Sequence, residues 1–180
     1  MAETNLTANR WIYGLAYFGL MGLIMLVQIL PLDLGLYDLP GPDMMLCITF
    51  AWVLRRPQYV PTPLIAGMFL VADMLFMRPP GLWTGLVVLC VELLRNRAGP
   101  SRDQPFLLEW AMVAILVLGA SVLQSLVLAI FFVDQAGLGL SLLKFLATVF
   151  TYPIVVMASR WVFHVEKMAP GELDAWGRRI

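Results

Sequence analysis

The chain has 180 residues, of which 61% are hydrophobic and 13% charged, with a mean hydropathy of +0.82. Water-soluble domains carry about 25% charged residues, so this composition excludes an ordinary soluble globule and predicts an integral membrane protein. The 12 basic and 12 acidic residues cancel, leaving no global field that would point to nucleic acid or to an acidic partner.

The first apolar run, Trp11 to Leu30, is roughly twice the apolar core of a secretory signal, and no small-x-small cleavage site follows it. It is expected to be an uncleaved first span. The stretch "PLDLGLYDLPGPD" is rich in turn residues, and Pro42 suits a first helical position. Three runs come next that fall short of the ~20 residues a crossing needs: Met44 to Leu54, Leu64 to Met77 and Leu82 to Leu94. A re-entrant hairpin over 42–77 would place Arg55 and Arg56 near the bilayer centre, at about 2.5–3.5 kcal/mol each. A full crossing puts both in water. Two longer runs complete the set, Phe106 to Val133 and Leu140 to Val162, the second kinked at Pro153. The prediction is an all-α, polytopic membrane protein. Its single transmembrane domain has six spans, at about 11–30, 42–55, 63–78, 81–95, 106–133 and 140–163, and residues 164–180 form a cytoplasmic tail.

With the N-terminus inside, one face collects Arg10, Arg55, Arg56, Arg95, Arg97, Arg102, Arg160, Lys167, Arg178 and Arg179. The other has only Arg78, and Lys144 lies within the last span. Asp33, Asp38, Asp43 and Asp134 fall on the outer side. Such a positive-inside bias predicts that both termini are cytoplasmic. Trp11, Trp52, Trp83, Trp110 and Trp161 sit near span ends, where indole rings prefer the headgroup level.

Chemistry-bearing motifs are scarce. The sequence has no His-Glu-x-x-His, Gly-x-Ser-x-Gly or phosphate-cradling Gly-x-x-x-x-Gly-Lys, so no catalytic residue, cofactor or metal is assigned. The single His164 has no partner at helical spacing, and an interfacial histidine accounts for it. Cys47 and Cys90 sit inside apolar runs and read as buried small residues. In "AGLGLSLL", Ser141 follows a glycine-rich turn that opens a helix. Glu92 and Glu109 are expected to pair at the inner interface with Arg95 and Arg102. Two polar stripes stand out: Ser121, Gln124 and Ser125 on the fifth span, and Lys144, Thr148, Thr151 and Tyr152 on the sixth. Lipid cannot satisfy them, so they face either another helix or a wet ligand cavity. Asp73 and Lys144 each lie four residues below the same predicted boundary. Because the cost of a lone charge there falls on pairing, a structural ion pair between spans three and six is expected.

"PDMML" opens the second span, and an aspartate ends the third ahead of "PPGLWTGL". Together with six short-looped spans in under 200 residues, these features resemble the rod shape-determining protein MreD family. The matching positions are Pro42, Asp43, Asp73, Gly81 and Leu82. One departure is Phe69, which stands one turn before Asp73, where a glycine is frequent in the family; Gly67 lies two residues earlier. The resemblance implies a non-enzymatic inner-membrane scaffold of the cell-elongation (peptidoglycan synthesis) complex. Its partners would be the lipid bilayer, MreC, RodA with its transpeptidase partner, and MreB, with no nucleic acid. It also implies a fold similar to the substrate-binding subunits of energy-coupling-factor transporters. A small-solute binding subunit or permease is therefore the alternative, and a closed cavity lined by aromatic and polar groups would favour it.

Overall fold

The computed structural model describes residues 2–30, 41–98, 105–133, 135 and 137–163. Asp33, Asp38, Arg102, Asp134, His164, Lys167, Arg178 and Arg179 lie outside the described residues, as does the side chain of Arg10. Among the described residues there are six helices: α1 (Ala2–Ile29), α2 (Met44–Arg55), α3 (Thr62–Leu75), α4 (Leu82–Ala98), α5 (Phe106–Ile130) and α6 (Leu138–Phe163). The protein is all-helical in these regions, and α1, α5 and α6 are long and apolar enough to cross a membrane. At 1.5 Å per residue, the 12 residues of α2 and the 14 of α3 reach only about 18 and 21 Å, against ~30 Å of hydrocarbon.

The short α2 sits at the centre, packed against α1, α4 and α6. Every residue from Met45 to Val53 is buried. A helix that is apolar all round is one that other helices enclose, and an enclosed helix need not match the thickness of a bilayer it never touches. α1 packs only on α2 and α3 to any extent. Its outward side chains, such as Leu15, Phe18 and Leu26, are exposed, as are Ile115 on α5 and Phe150 and Ile154 on α6. So much exposed apolar area suits lipid and not water. Contacts between residues distant in sequence define two ends. Asp43, Gly81 and Lys144 lie at what is here called the upper end; Arg55, Thr62, Glu92 and Glu109 lie at the lower end.

Several boundaries differ from the sequence expectation. Pro42 precedes the helix, and Asp43 is the N-cap of α2, its carboxylate accepting from Leu46 N at 3.1 Å. This satisfies a donor that the helix itself cannot. α3 ends at Leu75 and α5 at Ile130, each in the same two-bond motif. Arg78 N and Val133 N reach back to the carbonyls of Asp73 and Leu128, while Met77 and Phe132 hold φ of 52°. That left-handed position normally takes glycine. Both side chains point into the open, at 94% and 95% exposure, so no packing opposes the turn.

Proline 153 lies inside α6, which continues through it. Lacking an N–H, it leaves the Val149 carbonyl without its helical donor. Trp110 Nε1 on α5 donates to that oxygen at 2.9 Å. Two other expectations about tryptophan give way to packing, since Trp52 is fully buried beside Tyr17 and Tyr13, and Trp83 is also in the core. Among the described tryptophans only Trp11 and Trp161 keep the exposure expected of interfacial rings.

Candidate functional site

At the lower end the decisive contact is Arg55 with Glu109. The guanidinium donates to Glu109 Oε1 at 3.0 Å and to the Ala51 carbonyl at 3.2 Å, with side chains 8% and 5% exposed. Tyr152 donates its hydroxyl to the same carboxylate oxygen at 2.8 Å. Helices α2, α5 and α6 are thereby tied at one point. The expectation that Arg55 stands in water is overturned, because the first turn of α5 brings a carboxylate to meet it inside the bundle. The sequence pairs Glu109 with Arg102, which lies outside the described residues; among those described, Glu109 meets Arg55. Glu92 does lie near Arg95, at 3.9 Å, but its closer partner is the Thr62 hydroxyl at 2.6 Å, while Arg95 donates to the Val60 carbonyl.

At the upper end, Asp73 is fully buried and joins α3 to α4. Its Oδ2 accepts from Gly81 N at 3.1 Å, Thr84 N at 3.1 Å and Thr84 Oγ1 at 2.8 Å. Gly81 has φ of 88°, a value that a side chain would strain, and this conformation presents its N–H to the carboxylate. Asp73 is thus a cap borrowed by α4 from the preceding helix. It forms no ion pair with Lys144, a correction to the matched-depth argument: three local donors eight to eleven residues along the chain reach it first. Oδ1 is buried without a hydrogen-bond partner.

Lys144 faces different neighbours. It lines a cavity of about 230 Å³ together with Asp43, Arg78, Trp83, Phe69 and Gln28. A second cavity of about 90 Å³ lies alongside, and Asp43, Trp83 and Lys144 line both. The two polar stripes meet at the smaller one, with Ser121, Gln124 and Ser125 of α5 across from Lys144 and Thr148 of α6. Thr148 Oγ1 accepts from the Asp43 backbone N–H at 3.0 Å and donates to the Lys144 carbonyl at 2.8 Å. Ser121 is satisfied by its own helix, through the Val117 carbonyl. Thr151 is half-buried, and Tyr152 leaves the stripe to serve Glu109. Among the described residues neither Lys144 nor Arg78 is in ion-pair contact with a carboxylate; Arg78 lies over the Phe76 ring at 5.3 Å.

Pro42, Asp43, Asp73, Gly81 and Leu82 therefore gather at one end as the capping and turning elements of α2 and α4. Missed in the sequence were Thr84, the Arg55–Glu109–Tyr152 cluster and the Tyr17 hydroxyl, which donates to Thr49 Oγ1 at 2.8 Å while that hydroxyl donates to the Met45 carbonyl. Cys47 and Cys90 are free and buried. Among the described residues no three His, Cys, Asp or Glu side chains gather as a metal site. In comparisons with known proteins, no family model, curated protein or solved structure matches the chain.

Proposed function

We propose that this protein is a non-enzymatic membrane scaffold of the bacterial cell-elongation machinery, acting as the MreD family does in rod-shape maintenance. The supporting observation is that Pro42, Asp43, Asp73, Gly81 and Leu82, the positions that carry the resemblance, all serve to cap or turn helices at the upper end. Their carboxylates are engaged in holding α2 and α4 in place, which is work for a frame that positions helix faces. In this reading all six helices cross the inner membrane, the lower end and both termini are cytoplasmic, and the upper end faces outward. The same reading implies a fold similar to transporter substrate-binding subunits and MreC as the first partner, with RodA, its transpeptidase partner and MreB around them. The loosely packed α1, which touches only α2 and α3 to any extent, offers the widest lateral surface.

The alternative, a small-solute binder, draws on the cavity at Lys144. Its volume of about 230 Å³ falls below the roughly 300–1,000 Å³ of pockets that hold drug-sized ligands, which disfavours a vitamin-sized solute. Depletion in the native rod-shaped cell separates the two. Rounded cells and loss of MreC co-purification are the expected result, whereas intact rods with a defect confined to vitamin uptake would sink the scaffold reading. A cytoplasmic signal from a reporter fused in residues 31–42 would refute the orientation.

A further inference from the structure

The upper cavity has no role in the scaffold reading, and its chemistry is specific. Lys144 from α6 and Arg78 from the α3–α4 turn converge on it, and neither is in ion-pair contact with a carboxylate among the described residues. Asp43, the one carboxylate in the lining among the described residues, is engaged by Leu46 N. Two cations against one anion leave the described lining net positive. Lys144 lies within electrostatic reach of both Asp43 and Arg78, so the three charges act on one space. Asp43 balances only one of the two cations, and a bound anion would offset the charge that remains. Arg78 offers a planar fork and Lys144 a compact point charge, the pair of donor types that suits a phosphate group.

Access and size narrow the ligand further. Gln28 and Gly41 in the lining are exposed, so the cavity opens to the surface. Its volume, about 230 Å³, exceeds that of a water at ~30 Å³ several times over. Leu142 and Leu143, beside Lys144 in sequence, are exposed apolar residues of α6, and an acyl chain lying along them would bring its headgroup to the cavity mouth. We infer that the upper cavity is a binding site for a phosphate group, held between Lys144 and Arg78. A phospholipid headgroup or free phosphate could present it. This inference does not depend on the role in cell shape.

The test uses the full chain, purified in neutral detergent and reconstituted in phosphatidylcholine bilayers with graded phosphatidylglycerol. Native mass spectrometry counts retained lipid, and tryptophan emission reports occupancy, since Trp83 lines both cavities. Saturable phosphatidylglycerol binding is expected, weakened about tenfold by Lys144→Gln or Arg78→Gln and unchanged by Arg97→Gln, an exposed cation at the other end. In a second arm, inorganic phosphate is titrated in detergent. A saturable emission change lost in Trp83→Phe, with no preference among lipids, would assign the site to free phosphate. If wild-type protein responds saturably to neither probe, or if Arg97→Gln weakens binding as much as Lys144→Gln, the inference is overturned. The wild-type titrations and Arg78→Gln decide the matter should Lys144→Gln fail to fold.

Discussion

The two ends of the bundle handle charge in opposite ways. At the lower end Arg55 and Glu109 touch at 3.0 Å with almost no exposure, and Tyr152 completes the carboxylate's shell. At the upper end Lys144, Arg78 and Asp43 surround an open cavity without closing on one another. A charge with no access to water must find a partner of its own chain, because an isolated buried ion costs several kcal/mol. A charge beside an open cavity is under no such constraint. The lower end is therefore built for cohesion, and the upper end keeps its cations available.

The contrast can be broken most forcefully at the lower end. Glu109→Leu strands a buried guanidinium and the Tyr152 hydroxyl, and should cost about 3–5 kcal/mol, read as the midpoint of denaturant-induced unfolding in mixed micelles. Adding Arg55→Met should recover most of that loss. A double variant as unstable as the single would mean that packing, and not charge, holds this corner.

Asp73 comes next. Asp73→Ala leaves Gly81 N and the Thr84 donors without an acceptor and should cost about 2–3 kcal/mol. Asp73→Asn, which keeps an acceptor in place, should cost less. The swap of Asp73→Lys with Lys144→Asp should give no rescue, its two effects adding to within about 0.5 kcal/mol; clear recovery in the double variant would reinstate a direct pair. A milder loss of about 1–2 kcal/mol is expected for Trp110→Phe, which orphans the Val149 carbonyl freed by Pro153. An unchanged midpoint there would mean that α6 satisfies this carbonyl by itself.

The smallest effects lie on the open end. Met77→Gly and Phe132→Gly relieve left-handed backbone at φ of 52° and should each raise stability by about 1 kcal/mol. Lys144→Gln in phosphate-free neutral detergent should stay within about 0.5 kcal/mol of wild type. A large loss would show that the lysine is structural and erase the difference between the two ends.

Hydropathy alone revealed the six apolar segments, three of them in helices long and apolar enough to cross a membrane, and the all-helical class, because a continuous apolar run has few other ways to satisfy its backbone in lipid. The i−4 rule also makes an orphan carbonyl at Val149 legible from Pro153. Asp73 stood out as a charge in apolar surroundings, and Asp43 as a position of the family resemblance. Which donors they serve did not, since a carboxylate takes whichever N–H or hydroxyl the turn geometry presents. The matched depths of Asp73 and Lys144 gave a plausible pair, yet depth is one coordinate of three, and the α3–α4 turn delivered Gly81 and Thr84 into closer reach. For the same reason Arg55, charged and at a helix end, looked solvated. Only the tertiary structure decided that the start of α5 lies against the end of α2, where a carboxylate and a phenol turn an expected surface cation into the most enclosed cation among the described residues.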